Sequence, residues 1–422
     1  MTGENNSSRP LGNCAIVVGG SIAGMLSARV LSAYFSRVII CDRDELPETP
    51  QARRGVPQSV QPHVLFTKGY RLLIEFFPEI ESSFAQHGVL SIDWAREFKH
   101  YVNGHWGIEA TEASEIVSLT CSRYLLEWII RQELQKVPGI EIQAQRKVAG
   151  LLYDRATTKV TGVKLQSDRQ LNADLVVDAS GRSSTAAQWL KDIGQTPAPE
   201  TVVNPYLGYA TRRYQLPEQL KPDWKVMLIS QTPPQETRLG YLARIEHNEL
   251  IATLGGYGKD FPPLDESGFL EFARSLAQPD FYRAIANAMP TSPIYAHRAT
   301  ANRRRDYHQI ELPSGFVALG DATCALCPVY GQGMTVSALA AKTLQTWLSQ
   351  SSRERLDNNR FQKQLAKSNS FHWMLATSQD SRFPTTVGGQ QNQGNAINKL
   401  MTGYMNQLVA KSALKPDLHL MF

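Results

Sequence analysis

Ala15-Ile-Val-Val-Gly19-Gly20-Ser21-Ile22-Ala23-Gly24-Met25-Leu26 reads as an apolar strand, a tight glycine turn and the first turn of a helix. An unbroken apolar run of this kind suits a strand buried on both faces of a parallel sheet. Gly19 allows the sharp turn, the small Ser21 lets an anion approach the backbone, and Gly24 lets the helix pack closely on its strand. The helix start then offers unpaired N–H groups and the positive end of its dipole to an anion such as the pyrophosphate of a dinucleotide. Ser21 stands where the G-x-G-x-x-G pattern has its middle glycine, so the turn taken alone also fits a purely structural role.

The next strand adds weight to the ligand. Val38-Ile39-Ile40-Cys41 ends at Asp42-Arg43, and Asp42 falls close to the offset of about 20 residues at which an acid accepts the ribose hydroxyls of a dinucleotide. A strand-end acid capping a turn is the plainer alternative.

Bulk properties narrow the class. A chain of 422 residues with 42% apolar and 20% charged residues is an ordinary globular composition, long enough for two or three domains. A net charge of +5 with no basic stripe interleaved with aromatics argues against nucleic-acid binding. Met1 to Pro10 is polar and has no apolar core of a signal peptide, and no stretch approaches a membrane span. The five cysteines, Cys14, Cys41, Cys121, Cys324 and Cys327, are odd in number and mostly in apolar segments, which points to free thiols in a reducing cytoplasm. Cys324-Ala-Leu-Cys327 lacks the second pair that zinc needs, so both read as packing residues beside a loop.

Along the chain, Pro47 to Pro62 is a proline- and arginine-bearing loop, long enough to cover something, ahead of a helix over about 63–77. Residues 92–109 alternate as strands outside the first domain. Ser122 caps a helix, a strand follows at 140–144 and a hairpin at 148–165. Asp174-Leu-Val-Val-Asp178-Ala-Ser-Gly181 returns the chain to the parallel sheet. Residues 203–258 read as antiparallel strands, with helices at 266–276 and 281–288. Phe316-Val-Ala-Leu-Gly320-Asp321 is a further strand end, and Pro328-Val-Tyr-Gly331-Gln-Gly333-Met334 opens a helix to about Leu348. A second glycine-rich helix start suits another electron-rich part of a large cofactor. The tail reads as helices, with Ile397, Leu400, Met401, Tyr404, Met405, Leu408 and Val409 on one face.

Three motifs in order resemble the FAD-dependent, aromatic-hydroxylase-like (group A) flavoprotein monooxygenases: Gly19 to Gly24 with Asp42-Arg43, Asp178-Ala-Ser-Gly-Arg182, and Gly320-Asp321 with Pro328 to Met334. Gly55-Val-Pro-Gln-Ser-Val-Gln-Pro-His63, Gly331-Gln-Gly-Met334 and Trp373 to Pro384 look nearest to bacterial polyether-epoxidase-like members. The resemblance implies an α/β fold: a Rossmann-like FAD-binding domain (11–91, 120–195 and 306–348), an inserted antiparallel β-sheet substrate domain (92–119 and 196–305) and a C-terminal helical segment (349–422) behind a disordered N-terminus (1–10). It also implies that Gly19, Gly20, Ser21, Ala23 and Gly24 hold the FAD pyrophosphate, Asp42 the ribose, Arg43 the adenine or phosphates, Arg123 the phosphate region, Val148 the adenine side and Asp321 the ribityl chain. Gly331, Gly333 and Met334 would bring N–H groups to the flavin near N1 and O2, where the reduced ring is negative.

The function so implied is hydroxylation or epoxidation of a small, largely apolar organic substrate with O2, through a flavin hydroperoxide. NAD(P)H serves as a transient reductant. No catalytic side chain, metal cluster or second dinucleotide fingerprint is assigned. His63 reaches towards the flavin or packs, and Arg303-Arg304-Arg305 attracts NAD(P)H or forms a solvated basic face. Ser180-Gly181 departs from the family's Asp-Gly and keeps open a reductase or dehydrogenase acting on an isoprenoid-like double bond. A flavin-dependent halogenase is a further alternative, although the Trp-x-Trp-x-Ile-Pro segment of tryptophan halogenases is absent. A non-catalytic flavoprotein sensor is the remaining one.

Overall fold

The computed structural model describes residues 10–389 except 219, 221 and 353–355. The apolar stripe from Ile397 to Val409 and the first nine residues lie outside the described residues.

Five parallel strands form the central sheet, in the order Phe316–Ala318, Leu175–Asp178, Gly12–Val18, Phe35–Cys41, Ile140–Gln143. Their apolar runs are explained by burial on both faces. Ala15, Val17, Val38, Ile40, Leu175 and Val177 pack with residues of the helices Ile22–Leu31, Arg123–Gln135 and Gly333–Ser349. Ile16, Val18, Ile39, Cys41, Val176 and Phe316 pack on the other side with Val148, Leu151, Val160 and Val163. Those four belong to a three-stranded antiparallel sheet that includes the expected hairpin, Val148–Asp154 and Lys159–Leu165. Strand order reverses between Gly12–Val18 and Leu175–Asp178, so the crevice at the carboxyl ends of these two strands is where an open α/β sheet takes its ligand.

A seven-stranded sheet is inserted, in the order Tyr295–His297, Gly208–Gln215, Glu249–Gly256, Arg238–Ile245, Val226–Ile229, Phe98–Val102, His105–Trp106. It is not wholly antiparallel: Val226–Ile229 runs parallel to Phe98–Val102, because the latter arrives from a distant part of the chain rather than through a hairpin. One face carries Ala210, Leu242, Leu250, Ala252 and Leu254 beneath Phe269, Phe272 and Phe281 of the helices Glu266–Arg274 and Asp280–Ile285. By the pleat, Tyr209, Thr211, Tyr241, Thr253 and His297 stand on the opposite face. Tyr209 and His297 stack at 6.4 Å, and the Thr211 and Thr253 hydroxyls are 2.6 Å apart.

Glu200–Asn204 and Asn302–Arg305 pair with each other and with Cys324–Ala325 and Val387–Gly388 in a four-stranded sheet. The helix Asn358–Asp380, capped by Asp357 through the Arg360 N–H at 2.9 Å, is the last helix among the described residues. Its Trp373 and Ala376 pack against Cys324, Leu326 and Val336. All five cysteines are free thiols, and Cys324 and Cys327 are buried packing residues, as the sequence suggested.

Candidate cofactor site

The first turn is shaped by sterics. Gly19 has φ +101°, and a Cβ on it would meet the Ala179 carbonyl oxygen at 2.6 Å; a Cβ on Gly24 would stand 1.8 Å from the Gly19 oxygen. Only glycine fits either place. The Gly20 N–H donates to Asp42 Oδ2 at 2.7 Å. Ser21, at the start of the helix, donates to Glu127 Oε2 at 2.8 Å and accepts from Arg123 Nη2 at 2.9 Å, which gives the departure from glycine a purpose.

Around this turn lies a buried ion network. Arg53, from the long proline-rich loop, reaches Asp42 (3.1 Å), Asp44 (2.7 Å) and Glu127 (2.6 Å), and Arg123 pairs with Glu127 at 2.9 Å. Burial works against the Arg53 charge, yet the carboxylates of Glu127, Asp42 and Asp44 outweigh it and hold the guanidinium above its usual range. Burial likewise opposes the Glu127 charge, and Arg123 and Arg53 hold its carboxyl below the usual value. Arg123 Nη1 is buried with no hydrogen-bond partner among the described residues. Neither Arg53 nor Glu127 stood out in the sequence. The usable signal was the length of the loop, which does cover something: the glycine turn.

Arg43 points elsewhere; its half-exposed side chain donates to the Gly55 carbonyl at 3.3 Å. Val148 is buried beside Val18 and Cys41, and the nearby Arg146 N–H donates to the Asp42 carbonyl at 2.7 Å.

The middle turn is built on Asp178, fully buried, which accepts from the Ser180 N–H (3.0 Å), the Ser180 hydroxyl (2.5 Å) and the Ser184 hydroxyl (2.5 Å). Burial pushes its carboxyl up. Ser180 thus serves its own turn, and Gly181 keeps the positive φ of +82°. Arg182 donates to the carbonyls of Ala301 and Leu326, while Arg305 donates to those of Ala322 (2.9 Å) and Arg182 (3.2 Å). Together they clamp the loop that follows Asp321. Arg303 and Arg305 also pair with Glu200, and Arg304 with Asp306, so the triple-arginine run is committed to ion pairs rather than forming an open basic face.

The third turn meets the first. A Cβ on Gly320 (φ +61°) would lie 2.7 Å from the Ala23 Cβ, and Met334 is buried in the same cluster as Ile22 and Met25. Among the described residues no donor bonds the Asp321 carboxylate; burial pushes it up, against the nearby Arg182, Arg123 and Arg305. Gly331 (φ +64°) is crowded, with a Cβ position 2.9 Å from Val64 Cβ, whereas nothing lies within 4 Å of the Cβ position of Gly333. Glycine-bearing helix starts some 300 residues apart therefore converge. An unpartnered buried guanidinium nitrogen, a carboxylate without a donor and open space at a helix N-terminus fit a dinucleotide whose diphosphate, sugar and ring occupy successive positions.

A family model described as an FAD binding domain matches residues 14–375. Protein Rv3254 of Mycobacterium tuberculosis (strain ATCC 25618 / H37Rv) is 33% identical over 344 residues, covering 78% of this chain and 72% of that protein. PqsL from Pseudomonas aeruginosa, described as a probable FAD-dependent monooxygenase, has a TM-score of 0.65 at 16% identity over 88% of this chain and 94% of its own. The flavin-dependent brominase Bmp2 has 0.65 at 13% over 86% and 85%. At such identities these two share the fold. Fold and turns together define an FAD-dependent oxidoreductase. The chain belongs to the FAD binding domain family.

Proposed function

We propose that this protein is a monooxygenase that uses NAD(P)H and O2 to hydroxylate or epoxidise a small, largely apolar organic molecule. The observation that carries the reading is the inner face of the inserted sheet, with Tyr209, Thr211, Tyr241 and Thr253 on the side away from its covering helices, where Arg213 and Glu249 are paired with each other at 3.1 Å. His63 and His297 share this region as neutral rings: burial and the Arg123 charge take His63 down to about 3, and burial and Arg182 take His297 to about 4. A neutral wall suits an apolar substrate and excludes water from the reacting centre. Residues 92–119 and 196–305 then make the substrate side, and 11–91, 120–195 and 306–348 the cofactor side.

When bound, FAD supplies the two-electron chemistry that NAD(P)H feeds and O2 consumes. The first turn and Arg123 Nη1 hold the diphosphate. Asp42 takes the ribose by sharing a carboxylate that already accepts from Gly20, Asp44 and Arg53, so Arg53 joins the adenosine end where Arg43 was expected. Val148 lies on the adenine side, Asp321 receives the ribityl hydroxyls, and the N–H groups from Gly331 to Met334 face the ring.

The test is turnover of a cell extract by the purified yellow protein under oxygen-18. Label in a product, with matched consumption of NAD(P)H and O2, supports the reading. A product altered in unsaturation without oxygen uptake would replace it with a reductase.

A further inference from the structure

We propose that Asp380, at the end of the helix Asn358–Asp380, is a positioning residue for the turn Gly331–Met334, which makes that helix part of the flavin site. The inference rests on the reading that this turn faces the flavin ring.

Asp380 is fully buried. Its Oδ1 accepts the Tyr330 hydroxyl at 2.6 Å and, more distantly, the Tyr257 hydroxyl at 3.4 Å, while Oδ2 accepts Asn302 Nδ2 at 2.6 Å. The buried Asn302 in turn accepts the Cys327 N–H on Oδ1 at 2.7 Å. Both ends of the segment 327–330 are therefore tied to one carboxylate, Cys327 through Asn302 and Tyr330 directly. Immediately after it come the left-handed Gly331 and the free N-terminus of the helix Gly333–Ser349. A shift in this segment moves the N–H groups that face the ring.

Hydrogen-bond polarity explains why an acid is needed. The Cys327 N–H fixes the Asn302 oxygen, so its NH2 must point at position 380. Tyr330 also arrives as a donor. With Tyr330 as donor, position 380 accepts on two atoms, which a carboxylate of that size does; an amide fills the place only if the Tyr330 hydroxyl turns to accept. Among the described residues no cation pairs with it: burial pushes the carboxyl up to about 6, opposed only by the bonds from Tyr330, Asn302 and Tyr257. A buried, unpaired carboxylate is a costly way to gain stability, which favours a role at the site.

The experiment compares wild type, Asp380→Asn, Tyr330→Phe and the double swap Asp380→Asn with Asn302→Asp, each purified with FAD. FAD dissociation constant, flavin reduction potential and unfolding of the FAD-free protein are measured. In Asp380→Asn the amide oxygen keeps the Asn302 bond only with its NH2 turned to the Tyr330 hydroxyl, which must reverse from donor to acceptor, and the FAD dissociation constant should rise about tenfold. If the reduced form suffers a further tenfold, the potential falls by about 30 mV. The swap restores donor and acceptor order, because the carboxylate moved to position 302 takes both the Cys327 N–H and the amide NH2 introduced at position 380. It should return both values to within about threefold of wild type. Tyr330→Phe removes one hydroxyl, folds, and should show a smaller change in the same direction. Wild-type FAD affinity and potential in Asp380→Asn and Tyr330→Phe would overturn the inference, as would a swap that restores neither. If wild type itself takes up no FAD, the cofactor reading falls and this inference with it.

Discussion

The two glycine turns of the site are held by different means. Gly19 to Gly24 is fixed by contacts within the turn and with the adjoining strand end, the Gly19 oxygen under Gly24 and the Ala179 oxygen beside Gly19. Gly331 to Met334 has no comparable internal constraint. Its shape comes from Val64 below, from Asn302 and Asp380 behind, and from His372, whose ring nitrogen lies 3.2 Å from Gln332 Oε1. The first turn is dictated by close contacts of its own glycines with backbone, the other by side chains that reach it from elsewhere in the chain. The first should be most sensitive at its glycines and at the buried ion network beside it, while the second should respond to substitutions in the segments that hold it from behind.

The sharpest way to break that contrast is Gly24→Ala. Its methyl has no room, so a loss of about 3 kcal/mol and of bound FAD is expected, read by urea unfolding and flavin absorbance. Arg123→Met comes next. It leaves the buried Glu127 with Arg53 alone and removes the unpartnered Nη1, so about 3 kcal/mol is lost and FAD binding weakens at least tenfold by titration. Gly331→Ala imposes a left-handed conformation and a contact with Val64, for about 1–2 kcal/mol, with the reduction potential changing more than in any substitution at the adenosine end.

A pH series sharpens the comparison further, since His63 and His297 are both depressed and interact with each other and with Arg123 and Arg182. For His63 and His297 the folded values lie below the ordinary 6.5, so the unfolded chain binds protons that the folded one refuses. Their stabilisation is complete above pH 6.5 and is lost as pH falls towards 4 and then 3. Asp380 acts in the opposite sense: its folded value is raised, so its contribution is complete below 3.8 and fades as pH rises through about 6. His63→Gln should therefore reduce the stability difference between pH 7 and pH 5 by about 2 kcal/mol in urea unfolding. The smallest effect belongs to Arg37→Ala, which removes an exposed pair with Glu141 on the central parallel sheet and should cost about 0.5 kcal/mol or less.

The same contrast separates what was legible in the sequence. The strand–turn–helix at Gly19, the acid at Asp42, the Ser122 cap and the hairpin at 148–165 depend on residues close in sequence, and apolar runs and glycine spacing reveal them. The helix Ile80–Gln86 has no comparable signal; it is two turns long and contributes only Ile80 and Phe84 to the core. The parallel pairing of Phe98–Val102 with Val226–Ile229 has no local signal either. At the site, Arg53, Glu127, Asn302 and Asp380 escape a sequence reading because their importance lies in the partner each meets, and charge or amide residues on a loop or helix look alike until the chain closes. Arg43 draws attention by its place next to Asp42, yet the backbone turns its side chain towards Gly55.

The seven-stranded sheet carries its largest core on the face beneath the two short helices, while its other face sets hydroxyls and rings between smaller buried clusters that include Leu239 and Ile251. Under the proposed function, this division lets the molecule accepted be retuned without weakening the scaffold. Replacing Tyr241 or Thr253 alters the wall a substrate meets, while Leu242, Leu250 and Ala252 keep the strands anchored behind it. Lineages sharing this architecture have, in that one surface, somewhere to diversify.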